Sequence, residues 1–309
     1  MIKSPLNYTG GKYKLLPKLL PLFPEEFNDF YDIFAGGAVV SVNVANQYEL
    51  VKSPQKKFII NDIDKNVINL YRYFRKNTSK KILSTINELI EIYNLSRTSE
   101  YGYDYYKVDS NKGLGAYNKK GFNKLKEDFN NELYLSDKYY AMFYVLIIYA
   151  FNNQIRFNKK GEYNLPVGKR DFNKNMQKKF IEFHKSLNMH EFVFSNKDFR
   201  EFSDINAGDF VYADPPYRIT TASYTENNIW GIKDDLDLFE FLDQLHLNNV
   251  KFAMSNVVHH KGTTNDELLD WVNSRGYNLI NLNYNYDNSN YQSKAKNNDT
   301  TEVLVTNYK

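Results

Sequence analysis

The sequence predicts an α/β fold: a mostly parallel sheet with helices on both faces, and a helical section inserted between its two halves. Three observations carry that expectation. In residues 1–70 and again from 176 to 309, short runs of aromatic and β-branched residues alternate with helical periodicity, the pattern of successive βα units. Between them strand signals nearly vanish. Finally, the apolar run Phe210-Val211-Tyr212-Ala213 stops abruptly at Asp214-Pro215-Pro216-Tyr217, because proline has no amide hydrogen and fixes its own φ.

Taken in order, Phe30 to Ile33 reads as the first strand. The turn Phe34-Ala35-Gly36-Gly37-Ala38 follows, then a helix from Val39 to Tyr48. A second strand, Lys57 to Asn61, precedes a helix with Val67, Leu70, Tyr71 and Phe74 on one face. Asp64 directly precedes that periodic run and suits its N-cap, which leaves Asp62 for another role. In the insertion, Ile82, Ile86, Leu89, Ile90 and Tyr93 keep helical spacing, and Tyr139 to Phe151 reads as a buried helix, too short to span a bilayer. Polar-aromatic alternation from Gln154 to Leu165, around Lys159-Lys160-Gly161, predicts a β-hairpin with glycine at a left-handed position. The second half resumes with strands Glu191 to Ser195 and Asp209 to Ala213, and a helix bearing Leu238, Phe241, Leu242 and Leu245. Strand Lys251 to Ser255 comes next. A helix announced by the capping box Thr264-x-x-Glu267 runs to Arg275, before strands at Asn278 to Asn283 and Glu302 to Asn307.

Composition bounds the function. The 309 residues, 42% hydrophobic and 16% aromatic, can bury one large or two ordinary cores. The N-terminus lacks the apolar segment of a secretory signal, and the absence of cysteine excludes disulfides and thiolate metal sites, so a cytoplasmic protein that neither enters nor crosses a membrane is expected. A net charge of +3 selects no partner by itself. Lys119-Lys120, Lys159-Lys160, Lys169-Arg170 and Lys178-Lys179 nevertheless cluster in the middle third among Tyr, Phe and Asn. Such pairs suit a nucleic-acid surface and equally a solvated helix face.

The chemistry concentrates at strand ends. Asp214-Pro215-Pro216-Tyr217 presents a carboxylate, unclaimed carbonyls and an aromatic face, which suits a planar base with an exocyclic amine: two acceptors take its N–H bonds and Tyr217 stacks on its face. An acid with prolines also makes an ordinary turn. Gly36 and Gly37 at a strand-to-helix turn allow close backbone approach, either to a ligand or for packing alone. Asp62, ending the next strand, can accept both hydroxyl hydrogens of a ribose, which points to an adenosine-containing cofactor. Neither a phosphate-binding loop nor a complete GxGxxG is present. Tyr8-Thr9-Gly10-Gly11-Lys12 is a turn whose cation suits a ligand carboxylate or merely opens the helix of Leu15, Leu16 and Leu19.

With Tyr8-Thr9-Gly10-Gly11-Lys12, Phe34-Ala35-Gly36-Gly37, Asn61-Asp62-Ile63-Asp64 and Asp214-Pro215-Pro216-Tyr217 in that order, the chain resembles the Dam-type DNA adenine-N6 methyltransferases, the D12 class with a DPPY motif. The resemblance covers almost the whole chain. It implies a Rossmann-like catalytic domain, residues 1–70 and 176–309, that binds S-adenosylmethionine, and a helical target-recognition domain with a β-hairpin, residues 71–175. By resemblance, Tyr8, Gly10 and Lys12 line the methionine end, Phe34 to Ala38 pass beneath the cofactor, Asp62 holds the ribose, and Asp198-Phe199 lie beside the adenine. Asp214 and the Pro215 carbonyl grip the amine of a flipped-out adenine, and no metal is required.

Asn152-Asn153-Gln154-Ile155-Arg156-Phe157-Asn158, with Gly161, Tyr163-Asn164 and Pro166-Val167-Gly168, is similar to the family's recognition hairpin. Arg156 is the candidate for a bidentate guanine contact, with a phosphate contact as the alternative. Asn152, Asn153, Gln154, Asn158, Lys159, Lys160, Lys169 and Arg170 complete the expected DNA surface. The implied partners are double-stranded DNA and a cognate restriction endonuclease acting on the same site. GATC is a candidate site, although Asn7 stands where many members carry lysine and Gln154 where they carry an apolar residue. Transfer to the cytosine amine or to RNA, a non-catalytic DNA-binding protein on the same fold, and a dinucleotide-dependent oxidoreductase are the alternatives.

Overall fold

The computed structural model describes residues 1–8, 10–48, 56–108, 111, 113–220, 230–282 and 300–309. Thr9 of the first motif and the expected strand end at Asn283 lie outside the described residues. The strands are β1 (Phe30–Asp32), β2 (Phe58–Asn61), β3 (Phe192–Ser195), β4 (Phe210–Ala213), β5 (Lys251–His260), β6 (Thr263–Thr264), β7 (Asn278–Asn281) and β8 (Thr300–Thr306). The helices are α1 (Leu16–Leu19), α2 (Val39–Tyr48), α3 (Lys65–Lys76), α4 (Ser79–Ile92), α5 (Thr98–Tyr105), α6 (Gly115–Asn130), α7 (Asp137–Tyr149), α8 (Lys174–Met189), α9 (Ile232–Leu247) and α10 (Asp266–Arg275).

Among the described residues eight strands join one sheet, ordered β3-β2-β1-β4-β5-β8-β7, with β6 pairing β5. Strands β1 to β5 run parallel, while β8 is antiparallel to β5 and β7 antiparallel to β8. This is the expected Rossmann-like architecture. The chain leaves β1 toward β2 and β3 on one side, then returns to place β4 on the other. A parallel sheet that reverses in this way opens a crevice beyond the carboxyl ends of the two strands at the reversal, here β1 and β4. The Phe34 turn and the Asp214 loop follow those two strand ends.

Alternation along the strands builds two cores. Phe30, Phe210 and Tyr212 face one layer with α2, α3 and α8, whereas Tyr31, Ile33, Val211 and Ala213 face another with α9 and α10. The first core continues without a break into the insertion through Phe74, Tyr144 and Phe180. Helix α7 is buried all round from Ala141 to Tyr149, which explains its apolar sequence. Among the described residues no helix is long and apolar enough to cross a membrane.

Two local expectations change. Thr264 does not cap α10: it pairs with His259 as part of β6, and Asn265 takes the N-cap position without a side-chain cap bond. The Asn265 amide instead reaches the Val257 carbonyl, and its oxygen accepts from Arg218. The hairpin exists with Gly161 at φ 79°, but isolated bridges, Phe157 with Tyr163 and Ala150 with Val167, replace a continuous ladder. Side chains hold it to the helices. The Asn130 amide donates to the Tyr163 carbonyl and its oxygen accepts from the Tyr163 N–H, while the Phe157 and Tyr163 rings pack on Phe129 and Phe143.

Candidate active site

The turn after β1 is fixed by its neighbours. The Gly36 N–H donates to Asp62 Oδ2 at 2.8 Å, and the Tyr71 hydroxyl donates to the Gly36 carbonyl at 2.6 Å. Gly36 has φ 47°, and a Cβ there would stand 2.7 Å from the Tyr8 ring. Glycine is therefore required twice over, by backbone conformation and by the ring seated on it. What approaches the glycine closely is Tyr8, so the first and second motifs form one surface. Asp62 accepts from Gly36 through one oxygen and from the Asp64 N–H through the other, while Asp64 caps α3 by accepting from the Asn66 N–H.

The loop after β4 is gripped from two directions. Lys12, only 2% exposed, places its ammonium 2.9 Å from Asp214 Oδ2, 3.4 Å from Glu302 Oε1 and 3.0 Å from the Gly10 carbonyl. An ammonium has three donors, and the fold occupies all three. Where the sequence suggested a ligand carboxylate, the partners are thus two protein carboxylates and a carbonyl. The Tyr217 hydroxyl lies 2.8 Å from Asp214 Oδ1 and 3.0 Å from Glu302 Oε1, with the Lys12 ammonium 5.0 Å from the centre of its ring. Burial raises the Asp214 carboxyl above its usual range; Lys12 opposes that shift and Glu302 adds to it.

Two residues of this site escaped the sequence reading. Glu302 is buried on β8, the one acid in a strand of threonine, valine and leucine, and only strand pairing brings it to the loop. Asp32, at the end of β1, accepts from the Ser41 hydroxyl through Oδ2, while its buried Oδ1 has no hydrogen-bond partner among the described residues. Burial pushes its carboxyl to about 7, and Asp62, also buried, is raised to about 6. An acid in a central, fully buried strand was the available signal, since packing alone gives no reason for it.

Asp32 carries a stability prediction. The unfolded carboxyl ionises near 3.8 and the folded one near 7, so the native state holds its proton longer. Stability is then intact below the lower value and falls as pH rises toward the upper one. Asp32→Asn removes this loss and is expected to stabilise the ligand-free protein at pH ~8, on the order of 2–4 kcal/mol, with no gain at pH ~4. Urea unfolding at both pH values measures it; parallel pH dependence in the two proteins would dismiss the assignment.

A profile of the D12 class N6 adenine-specific DNA methyltransferases matches residues 8–288, a span that includes both strand-end loops. The chain belongs to this family. Among curated proteins it is similar to the modification methylase StsI of Streptococcus sanguinis, 38% identical across 99% of this chain and 43% of that one. The type II methyltransferase M.FokI of Planomicrobium okeanokoites is 36% identical over the same shares. The type II methyltransferase M1.LlaDCHI of Lactococcus lactis subsp. cremoris is 28% identical across 98% of this chain and 94% of its own. The chain thus spans less than half the length of the first two relatives.

For a D12 class member, the remaining residues fall into two groups. Phe199 is buried, its ring 5.6 Å from Phe34 and 5.9 Å from Trp230, and these three make an aromatic wall beside the β1 turn. Asp198 accepts from the Arg200 N–H and guanidinium. On the hairpin segment, Arg156 is half-buried, and Asn164 accepts its Nε–H at 2.8 Å, which fixes the guanidinium plane. Asn152, Lys159, Lys160, Lys169 and Arg170 are exposed, whereas Gln154 and Asn158 are half-buried. Asn153 turns inward: it is 6% exposed and its amide donates to the last carbonyls of α7. The Asn7 amide donates to the Asn152 carbonyl at 2.6 Å, tying the first motif to the segment that leads into the hairpin.

Proposed function

We propose that the protein methylates the N6 amine of adenine in a short duplex DNA site, using S-adenosylmethionine. The observation that carries this reading is the Asp214 loop at the carboxyl end of β4, adjacent to β1, held by Lys12 and Tyr217 and facing the glycine turn across the crevice. S-adenosylmethionine, when bound, supplies a methyl group on a cationic sulfur. The residues present fit such a ligand. The unpartnered Asp32 oxygen accepts an ammonium, which would also keep its carboxylate ionised. Asp62 retains lone pairs for ribose hydroxyls beside its two backbone bonds. The Phe34, Phe199 and Trp230 wall suits a purine.

The adenine amine is a weak nucleophile because its lone pair is delocalised into the ring. Asp214 and the Pro215 carbonyl accept its two N–H bonds and stabilise positive charge as it develops on nitrogen. A general base is unnecessary. Tyr217 stacks on the base through the ring face opposite Lys12, offsetting part of the few kcal/mol that extrusion from the duplex costs. Residues 71–175 act as the target-recognition unit of a catalytic domain made of 1–70 and 176–309. The modification names of the relatives support a restriction partner acting on the same site.

Sequencing that maps modified adenines in DNA exposed to the protein, with mass analysis of the digest, tests the reading. Methylcytosine as product, or tight cofactor binding without transfer, would overturn it. Arg156→Ala is expected to relax sequence choice at one position by about 1–3 kcal/mol while non-specific binding persists. A loss uniform across sequences would instead make Arg156 a phosphate contact.

A further inference from the structure

We propose that Glu302 is a positioning residue of the transfer site, an alternative acceptor that releases Asp214 to take the substrate amine and places a second carboxylate beside it. The inference rests on the methyl-transfer reading above. Its first support is proton counting. Tyr217 has one hydroxyl hydrogen and lies within hydrogen-bond reach of Asp214 Oδ1 at 2.8 Å and Glu302 Oε1 at 3.0 Å. A phenol donates one bond, so the hydrogen goes to one acceptor or is shared between them. While it points to Asp214, it occupies an oxygen that the incoming amine needs. Turned to Glu302, it leaves Asp214 Oδ1 to the N–H of the base, and Tyr217 keeps a partner throughout.

The second support is charge. Lys12 contributes one positive charge, while Asp214 and Glu302 contribute two negative ones. For neutralising Lys12 alone, Asp214 at 2.9 Å suffices. A second buried carboxylate costs several kcal/mol to desolvate, and a stability role alone would be served better by an amide or an apolar side chain. A second carboxylate is useful where positive charge enters or develops, as it does on a nitrogen gaining a methyl group. The residue touches Lys12 and Tyr217 and acts through them.

The test is Glu302→Gln, which keeps shape and an acceptor oxygen but removes the charge. Single-turnover methyl transfer is measured across pH alongside duplex binding. The charged and titratable groups around Asp214 are Lys12 from the N-terminal segment, Tyr217 from its own loop, Glu302 from β8, Asp32 from β1 and Tyr212 from β4. Of the groups acting on Asp214, Glu302 raises its carboxyl by charge repulsion, so the variant's acid limb is expected at lower pH than the wild type's. The rate on the plateau is expected to fall about tenfold or more, with duplex affinity within about twofold. In a Tyr217→Phe background the added loss should shrink, because the hydroxyl that Glu302 serves is gone. An unshifted limb, or an undiminished loss in that background, overturns the proposal. Glu302→Asp keeps the charge one methylene further back and covers a failure of the amide to fold: it should lose rate yet hold the wild-type limb, and full rate would refute the positioning role. Failure of the wild-type protein to methylate adenine would indict the functional reading instead.

Discussion

Asp214→Ala is expected to reduce methyl transfer by about 10²–10³-fold or more while the protein still folds and binds duplex. The size follows from the acceptor's place in the reaction, since it stabilises charge that exists only as the amine is methylated. Folding should survive because removing Asp214 leaves Lys12 paired with Glu302. Duplex affinity should survive because phosphate contacts from exposed cations supply most of it. Asp214→Asn separates charge from shape, since its amide can accept one N–H but carries none of the negative charge. Transfer of labelled methyl groups in a single turnover, with fluorescence anisotropy on the same duplex, measures both quantities. A fully active Asp214→Ala protein would remove the mechanism.

The elements that hold this loop differ in how openly the sequence announced them. The Asp214 loop was legible because two prolines after an apolar run end a strand by covalent geometry alone. The N-cap role of Asp64 was legible too: it caps α3, while Asp62 accepts from the Gly36 N–H of the glycine turn. Glu302 was not, because its role exists only once β8 pairs antiparallel with β5 and carries it to a loop 85 residues away. Nor was the seat of Tyr8 on Gly36, a packing contact between segments that sequence spacing does not encode. Thr264 misled for the same reason in reverse. A local capping pattern was overridden when β5 extended to His260 and recruited Thr263 and Thr264 as a partner strand. Local chemistry was therefore readable wherever one residue's own geometry dictated the outcome, and unreadable wherever a distant strand completed it.

Lys12→Met should have the second large effect, and its pH dependence runs opposite to that of Glu302→Gln. With the ammonium removed, Asp214 and Glu302 lose the cation they share, a loss of about 3–5 kcal/mol for a broken buried pair. Asp214, already raised by burial, loses the interaction that most opposes that shift, so its carboxyl moves further up and the acid limb of the rate profile moves to higher pH. The stability sign follows. A carboxyl that ionises later in the folded than in the unfolded state weakens the fold as pH rises, so the deficit of Lys12→Met should be largest in alkaline buffer and shrink as acid protonates one of the pair. The native lysine's own contribution does not confuse the comparison, because its burial, which favours the neutral amine, is outweighed by Asp214 and Glu302, which leave it raised above 10.5 and charged throughout. Adding Glu302→Gln removes one of the two neighbouring carboxylates and should restore part of the stability without restoring the rate, since the grip on the Asp214 loop stays broken. Urea unfolding at pH ~6 and ~9, with single-turnover rates on the same preparations, separates these effects. A deficit equal at both pH values, or no rescue in the double variant, would mean that Lys12 acts by packing along its stem and not as the cation that two carboxylates share.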